Sequence, residues 1–318
     1  MKTLPRTLRL ATRGSALALA QTQLVCQAIE RVAGADVAIE LVVVHTSADR
    51  APDRPLREFG DKALFVKEIE EAILAGRADA GVHSLKDLPA LLPDRLIVVA
   101  TLEREDTRDV LITRNGLAFA ELPPAATVAT SSLRRRAQLA RLRPDLTFVD
   151  VRGNVDTRLR KLQRGDFDAL ILAAAGLRRL GLMPDYVNFL SHDEVLPAAG
   201  QGAIAVEAPA DSPFKDVLEL INHVPTFRAC EVERLFVRSI GADCHSAVGC
   251  LCEKAGRTTR FRAVVCSPDG SRAFSYDQQH DDWDDATFAL DAAERLIAQG
   301  AESILELGRD PRWKGQRS

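Results

Sequence analysis

Short apolar runs alternate with stretches of helical periodicity over the first two-thirds of the chain. Strands are predicted at Leu8–Ala11, Val37–Val44 and Ala78–His83, and apolar residues recur at helical spacing between positions 64 and 75. Ser15 follows the first of these strands, where its hydroxyl can cap the next helix. Strands that alternate with helices in this way are typical of an α/β fold with largely parallel sheets.

A second stretch of the same alternation begins near Arg108. Its predicted elements are strands at Val110–Ile112, Thr127–Thr130, Leu146–Val151 and Ala169–Leu172, with helices that begin at Leu133 and Val155. Several of these strands end in polar residues that open a helix. Because open α/β sheets bind ligands at the carboxyl ends of their strands, this edge is a candidate binding site.

A further strand is predicted after residue 200, and the order of predicted elements changes after Val224. A short strand is predicted at Ala203–Glu207, and a strand in this position can belong to the first sheet and make that domain discontinuous. After Val224 the predicted elements are a helix at Phe227–Val237, strands at Ala247–Cys252 and Arg260–Val265, and a helix at Asp285–Gln299. We therefore predict two α/β domains and a small α+β domain, over residues 1–102 with 203–221, 108–197 and 224–318.

Composition restricts the class of protein. With 46% hydrophobic and 27% charged residues, the 318-residue chain has the balance of a globular protein rather than a disordered one. No apolar run reaches the roughly 18 residues of a membrane span, so no membrane partner is expected. The apolar stretch Ala16–Ala20 after a basic N-terminus superficially resembles a secretory signal, but Gln21 and Gln23 interrupt it. Six cysteines, five of them from Cys230 onward, do not form a disulfide scaffold, so a cytoplasmic location is predicted.

Arginine is concentrated after two of the predicted strands. Between residues 131 and 181 there are twelve Lys or Arg against five Asp, whereas the whole chain has a net charge of −3. A predicted helix start at Ser131 and Ser132 adds unpaired N–H groups and a positive dipole. The paired donors for carboxylates or phosphates would come from Arg134, Arg135, Arg152 and Arg158. This local positive charge predicts a polyanionic partner. The alternative is a solvated helix face whose arginines form ion pairs with Asp145, Asp150 and Asp156.

Two further residues can carry chemistry. Beside a cationic site, the carboxylate of Asp87 can accept a hydrogen bond from an N–H group and stabilise a positive charge, although an ordinary turn residue is the plainer interpretation. Cys244 lies in a loop, where a thiolate near cationic groups is nucleophilic. Cys250 and Cys252 alternate in a strand and are expected in the core. A zinc site of Cys244, Cys250, Cys252 and Cys266 is the alternative, but its spacing does not fit paired ligands, so no metal is predicted.

Seven ordered motifs resemble those of the porphobilinogen deaminase family, and the match runs from Leu8 to about Ala301. The motifs are Leu10–Ser15, Lys62–Glu68, His83–Pro89, Thr130–Arg135, Arg152–Arg158, Ala174–Gly181 and Pro197–Gly202. The family, also called hydroxymethylbilane synthase, makes a linear tetrapyrrole by joining four porphobilinogen units with loss of ammonia. It builds this chain on a dipyrromethane cofactor that a cysteine holds through a thioether.

The resemblance implies a role for each matching residue. Asp87 would be the catalytic aspartate, which contacts pyrrole N–H groups and stabilises the cationic azafulvene formed as ammonia leaves. Cys244 would carry the dipyrromethane cofactor. The residues that would bind the cofactor, porphobilinogen and the growing polypyrrole chain are Arg13, Ser15, Lys62, Phe65, Ser84, Lys86, Thr130, Ser131, Ser132, Arg134, Arg135, Arg152, Gly153, Arg158, Arg179 and Gln201. The family fold, two domains resembling periplasmic binding proteins and a third with the cysteine loop, agrees with the predicted division, and a monomer is expected.

Two loops depart from the family's pattern. The cysteine usually follows two glycines and precedes a proline by three residues, whereas here Ala242 and Asp243 precede Cys244 and Ala247 stands at the proline position. We expect the carboxylate of Asp243 to disfavour the thiolate and to slow cofactor attachment. In the loop before Phe65, common glycines are replaced by Ala48, Asp61 and Ala63.

The competing class is a noncatalytic two-lobed protein that binds or senses an anionic solute. It predicts reversible binding without a covalent adduct and gives no role to Cys244. A nucleic-acid binder is less supported, because aromatic residues make up 5% of the chain and do not interleave with the basic ones.

Overall fold

The structure is a computed structural model of the chain, and it describes residues 7–34, 37–44, 66–243, 246–281 and 285–309. The predicted site residues Lys62, Phe65 and Cys244 lie outside these ranges, as do the replaced glycines of the loop before Phe65 and the tail after Asp310. Two compact units are formed, by residues 1–105 with 202–228 and by residues 106–201 with 229–318. The division into three domains stays a prediction.

The described residues form strands and helices that are numbered here in chain order. The strands are β1 (Thr7–Arg13), β2 (Ala38–Val44), β3 (Ala80–Ser84), β4 (Leu96–Thr101), β5 (Asp109–Thr113), β6 (Thr127–Ala129), β7 (Thr147–Val149), β8 (Ala169–Ala173), β9 (Val187–Phe189), β10 (Ile204–Pro209), β11 (Val248–Ala255), β12 (Thr258–Cys266) and β13 (Ala273–Asp281). The helices are α1 (Ala16–Ala33), α2 (Lys67–Leu74), α3 (Leu133–Leu142), α4 (Val155–Arg164), α5 (Ala174–Leu180), α6 (Lys215–Glu219), α7 (Val224–Ser239), α8 (Asp285–Ala298) and α9 (Ala301–Arg309). Among these residues, no helix combines the length and the apolar character that a membrane crossing needs.

The first unit is built on a five-stranded sheet in the order β2-β1-β3-β10-β4. The predicted late strand lies in this sheet as β10, hydrogen-bonded to β3 and to β4. Helices α1 and α6 cover the sheet, and their buried faces meet strand residues such as Leu8 and Leu10 around Ile29 and Phe214.

The second unit contains another five-stranded sheet, in the order β7-β6-β8-β5-β9. All five residues of β5 are buried, and alternate residues pack into two different cores. Leu111 packs with Phe119 and Leu139 in one of them, and Val110 packs with Leu162 in the other. The sheet is therefore covered by helices and loops on both faces, as its apolar runs require.

The prediction of an α/β fold is confirmed, but the prediction of largely parallel sheets is wrong. Each five-stranded sheet has two parallel and two antiparallel neighbour pairs. Parallel neighbours need a long crossover, which α1 supplies between β1 and β2 and α3 supplies between β6 and β7. Strands β5 and β10 run antiparallel to both of their neighbours.

The predicted α+β portion belongs to the second unit from Ala229 onward and is built on the antiparallel sheet β11-β12-β13. Its core contains Phe236, Phe261 and Phe288, all of them 0% exposed. Cys250 and Cys252 lie in the same core, which confirms the expectation that they share a buried face. The sequence predicted two strands and one final helix here, whereas the structure adds β13 and α9.

Candidate active site

A small cavity in the first unit lies where the carboxyl ends of β1 and β3 are adjacent. Its volume is about 60 Å³, and its polar lining consists of Arg13, Ser15, Gln21, His83, Ser84 and Asp87. Arg13, Ser15, Ser84 and Asp87 are four of the residues that the sequence predicted for the site. The structure therefore gathers residues from two separate motifs in one place.

Strand and helix ends place these side chains. Because β1 and β3 run parallel as neighbours, Arg13 and Ser84 both end a strand at the same edge of the sheet. Ser15 caps α1, since its Oγ accepts a hydrogen bond from the N–H of Ala18 over 3.3 Å. The predicted cap is confirmed, and it turns the exposed N-terminus of α1 towards the cavity residues.

Asp87 ends a 3₁₀ turn, Leu85–Asp87, that follows β3 directly. The N–H of Leu88 donates to the carbonyl of Leu85 over 3.1 Å and closes the turn. Asp87 and its neighbour Lys86 are half-buried. The plain interpretation of Asp87 as a turn residue is correct for its backbone, and its side chain also lines the cavity.

Gln21 is a cavity residue that the sequence reasoning missed. It is 3% exposed, and its Nε2 donates to Oγ of Ser84 over 2.7 Å, while that hydroxyl donates back to Oε1 over 3.1 Å. The pair fixes both side chains at the edge of the cavity. A signal was present, because Gln21 is a polar residue on the face of α1 that also buries Val25 and Ile29.

In the second unit, Arg134 and Arg135 lie in the first turn of α3, which Ser132 caps. Both arginines are buried, with 5% and 7% exposure, and both bind Asp109 at the start of β5. Arg134 donates to Oδ2 over 2.7 Å, and Arg135 donates to Oδ1 over 2.8 Å. The sequence reasoning missed Asp109, although an acidic residue next to a buried apolar strand needs a counter-charge.

The charges of the two arginines decide the ionisation of Asp109. Burial alone would raise the pKa of this carboxyl, but the positive charges of Arg134 and Arg135 outweigh burial and hold the pKa below its usual range. Asp109 is therefore ionised and balances one of the two cations.

Gln201 belongs to the same buried network. Its side chain is 0% exposed and donates to Oδ1 of Asp109 over 2.9 Å and to the carbonyl of Thr107 over 2.7 Å. Its Oε1 accepts from Arg134 over 3.4 Å. A predicted binding residue thus serves within this unit to hold Asp109 and Arg134 in place.

Two of the acidic residues considered as partners for the arginine cluster bind other arginines of the same region. Asp156 binds Arg160 in an exposed pair on α4, which is a solvated helix face of the kind that the alternative described. Asp145 binds Arg143, whose side chain is 20% exposed. The alternative does not describe Arg134 and Arg135, because their acidic partner is Asp109.

Of the remaining predicted arginines, Arg152 and Arg158 follow the end of β7, which lies beside the end of β6, and Arg179 follows β8. Ser131 joins these ends, since its Oγ donates to the carbonyl of Val151 over 2.8 Å and accepts from its N–H over 3.0 Å. The hydroxyl of the buried Thr130 accepts from the N–H of Ser132 over 3.2 Å. Sequence reasoning therefore placed the two strand ends together correctly.

Arg152, Arg158 and Arg179 are half-buried cations on this unit. Burial lowers the pKa of Arg152, against the effect of Asp150. Arg158 donates from Nε to the carbonyl of Gly153 over 2.8 Å. Gly153 has a φ of 104°, which a side chain rarely adopts, so glycine permits this tight turn at the strand end.

The described part of the cysteine loop is closed by Asp243 and Ser246. The Ser246 hydroxyl donates to Oδ1 of Asp243 over 2.8 Å and accepts from the Asp243 N–H over 3.0 Å. Cys244 itself lies outside the described residues, so the zinc alternative that included it is untested. Within the described ranges, His, Cys, Asp and Glu form no group that could hold a metal ion.

Comparisons with known proteins extend the sequence resemblance. The family model described as "Porphobilinogen deaminase, dipyromethane cofactor binding domain" matches residues 8–215. A porphobilinogen deaminase of Syntrophomonas wolfei is 44% identical over 303 residues, covering 94% of this chain and 98% of that protein. Those of Campylobacter hominis and Roseiflexus are 42% and 44% identical, with 94% of this chain covered and 97% and 99% of theirs.

Solved structures with a similar course of the chain have low sequence identity. The methionine-binding protein MetQ has a TM-score of 0.44 at 13% identity, covering 71% of this chain and 92% of its own. The periplasmic VFT2 domain of Bordetella pertussis BvgS has a TM-score of 0.40 at 14% identity, with 68% and 86% covered. The sequence matches, by contrast, extend over nearly the whole length of their relatives. By these matches, the chain belongs to the porphobilinogen deaminase family.

Proposed function

We propose that this protein is a hydroxymethylbilane synthase. It joins four molecules of porphobilinogen into a linear tetrapyrrole with loss of ammonia, on a dipyrromethane cofactor linked to Cys244. The observation that supports this proposal most is the cavity in which Arg13, Ser15, Ser84 and Asp87 converge. These residues come from two motifs that carry the family resemblance.

The donor set of the cavity fits a dipyrromethane group. Its pyrroles carry acetate and propionate carboxylates, for which the guanidinium of Arg13 and the hydroxyls of Ser15 and Ser84 are suitable donors. Its pyrrole N–H groups need an acceptor, and Asp87 offers a carboxylate in the same lining. When bound, the cofactor supplies the pyrrole carbon to which the first porphobilinogen is joined.

Asp87 is proposed as the catalytic residue. Its carboxylate accepts a hydrogen bond from the pyrrole N–H of porphobilinogen and stabilises the positive charge that develops as ammonia leaves. A carboxylate held on a short turn needs little reorganisation at that moment, which is the property that makes electrostatic stabilisation effective. The same carboxylate can then accept the proton that the coupled pyrrole carbon loses.

The second unit is proposed to bind the carboxylates of the growing chain. Asp109 balances one charge of Arg134 and Arg135, so this buried pair contributes one net positive charge. Arg152, Arg158 and Arg179 are less buried and offer planar donors for carboxylates. Lys62, Phe65, Lys86, Thr130, Ser131, Ser132, Gly153 and Gln201 complete the proposed set.

Cys244 is proposed to form the thioether to the cofactor, since a soft thiolate adds readily to an electrophilic methylene carbon. We further propose that the enzyme is a cytoplasmic monomer that binds no nucleic acid and needs no metal. The acidic balance of the chain, with a net charge of −3, supports the absence of a nucleic-acid partner.

Intact mass spectrometry combined with a porphobilinogen assay tests the proposal. The purified holoprotein is expected to be heavier than its sequence by two pyrrole units, and Cys244→Ala is expected to lack this adduct. The wild type should consume porphobilinogen and release a linear tetrapyrrole. A protein without adduct that consumes no porphobilinogen but binds an anionic solute reversibly would instead support the noncatalytic alternative.

A further inference from the structure

A buried pair of side chains supports the turn that carries Asp87. His83, four residues before Asp87, belongs to β3, and its Nε2 lies 3.1 Å from Oε2 of Glu207 on β10. The two side chains are 3% and 0% exposed. Burying a carboxylate so completely is costly unless another group partners it, so the contact with His83 is a condition for Glu207 to lie there.

The register of the sheet leaves room for this pair. β3 and β10 are antiparallel, with Ala205 opposite His83 and Glu207 opposite Gly81, so the pair is a diagonal contact. A Cβ atom at Gly81 would lie 2.9 Å from His83 Nε2 and 2.5 Å from Cγ2 of Ile69. Glycine at this position therefore keeps space open for the imidazole.

The junction between β3 and the 3₁₀ turn is held on both sides. On one side, β10 places Ile204 opposite Ser84, and the N–H of Leu85 donates to the carbonyl of Ala203 over 3.0 Å. On the other side, Gln21 binds Ser84 through two hydrogen bonds. β10 thus contacts this junction through backbone pairing and, by Glu207, through a side chain that binds His83.

Within the described residues, the Glu207 carboxylate has its hydrogen bond with His83. Oε1 of Glu207 is buried without a hydrogen bond there, and so is Oε1 of Glu70 on α2. Burial and the charge of Glu207 together raise the pKa of Glu70. Glu70 is thus a second carboxylate near Glu207. The repulsion between the two acids makes the contact of Glu207 with His83 more important.

We propose that Glu207 is a positioning residue for the deaminating condensation. Through His83 it fixes the turn from Ser84 to Asp87, so that the Asp87 carboxylate meets the reacting pyrrole at a constant distance. The inference rests on the role proposed above for Asp87. Because Glu207 acts on the placement of a catalytic group and touches no substrate, its loss lowers kcat and leaves KM nearly unchanged.

Two nearly isosteric variants test the inference. Glu207→Met fills the same volume without accepting a hydrogen bond, whereas Glu207→Gln still accepts one from His83. A misplacement of about 1 Å costs on the order of 10²-fold in rate, so Glu207→Met is expected to lower kcat about 10- to 100-fold with KM within about threefold. Glu207→Gln is expected to keep kcat within about threefold of the wild type, because the positioning hydrogen bond remains. Both are assayed as holoproteins whose adduct intact mass spectrometry has verified.

Tyr276→Phe is the matched control for a general loss of stability. It removes a partly buried hydrogen bond in the second unit, from the Tyr276 hydroxyl to Oδ2 of Asp291 over 2.7 Å. This variant is expected to have a lower melting temperature and an unchanged kcat. A fall in kcat in Glu207→Met at equal or smaller loss of melting temperature then reports on positioning.

Wild-type kcat in Glu207→Met overturns the inference, and so does an equal loss of kcat in Glu207→Met and Glu207→Gln. If Glu207→Met does not fold, the comparison is made with His83→Gln, which keeps a polar side chain on the cavity and can still donate to Glu207. An equal kcat in His83→Gln with and without Glu207→Met then overturns the inference. Asp87→Ala separates this inference from the proposed function. An inactive Asp87→Ala beside a fully active Glu207→Met leaves the function standing and removes only the role of Glu207.

Discussion

The Nη1 atom of Arg134 donates to Oδ2 of Asp109 over 2.7 Å, and the two side chains are 6% and 0% exposed. Arg135 binds the other oxygen of the same carboxylate. One buried carboxylate thus binds both Arg134 and Arg135, which the sequence predicted as donors to an anionic ligand. The cations with more solvent access are those that follow the neighbouring strand end, Arg152 and Arg158.

Replacing Asp109 by Asn is expected to destabilise the protein strongly. The variant leaves two buried guanidinium groups without their counter-charge, which costs about 3–5 kcal/mol of unfolding free energy in comparable buried pairs. The midpoint of urea unfolding measures the effect. Asp166→Asn, which breaks the exposed pair with Arg164, is the control and should leave the midpoint unchanged. Equal midpoints for the two variants would contradict the assignment.

The contribution of Asp109 is expected to depend on pH in the acid range. Burial opposes ionisation, but Arg134 and Arg135 hold the pKa of the Asp109 carboxyl below its usual value. A carboxyl with a folded pKa below the unfolded value of about 4 stabilises fully above that pH and loses its contribution as the pH falls further. The difference in urea midpoint between wild type and Asp109→Asn should therefore be constant from about pH 5 to 7 and smaller at about pH 3. A difference that grew on acidification would have the wrong sign.

Replacing Asp87 by Ala is expected to suppress turnover while leaving the cofactor attached. Loss of a positioned acid–base group typically lowers kcat about 10²- to 10⁴-fold. Porphobilinogen consumption and intact mass are measured on the same preparation. Asp94→Asn changes an exposed aspartate of the same unit and should keep wild-type kcat. If Asp87→Ala turned over normally, its catalytic assignment would be wrong.

Replacing Arg152 by Gln is expected to weaken the binding of carboxylated pyrroles. Hydrogen bonds to charged groups contribute about 1.5–3 kcal/mol, so KM for porphobilinogen should rise about 10- to 100-fold if one such contact is lost. Arg160→Gln is the matched control, because Arg160 is exposed and pairs with Asp156 on the helix surface. A rise in KM of the same size in both variants would indicate a general effect of charge rather than a contact of Arg152.

Replacing Asp243 by Gly is expected to speed cofactor attachment. Its carboxylate is held beside the cysteine loop by the Ser246 hydroxyl, and a nearby negative charge disfavours a thiolate. The time course of adduct formation on apoprotein, followed by intact mass, measures the rate. Ser246→Ala removes this hydrogen bond but keeps the carboxylate, and it serves as the comparison. Identical time courses for wild type and Asp243→Gly would remove the proposed effect.

Local signals predicted the site well where the structure depends on neighbours in the chain. Ser15 caps α1 as predicted, and Ser132, at a predicted helix start, caps α3. The strand ends that carry Thr130 and Arg152 lie together because β6 and β7 are joined through a single helix and must be parallel. Such contacts follow from the period of the pattern and from short connections.

Contacts set by the order of strands in a sheet were beyond the same reasoning. Asp145, Asp150 and Asp156 were considered as partners because they are near the arginines in sequence. Asp109 is 25 residues from Arg134, and it becomes a neighbour through the position of β5 beside β8. β13 was missed for another reason, because its sequence AFSYDQQHD carries few apolar residues and one of its faces is exposed.

Strand β10 lies between β3 and β4, yet about a hundred residues of chain are synthesised between β4 and β10. Among the described strands, β4 pairs only with β10 in the sheet of the first unit. Until β10 is synthesised, β4 therefore has no strand to pair with there, although the strands β5 to β9 of the second unit have already been made. The first unit therefore completes its fold after much of the second has emerged, and an N-terminal fragment that ends before Ile204 exposes an open sheet edge. Open strand edges of this kind are prone to pair with other chains, so β10 protects β3 and β4 from such contacts once it is in place.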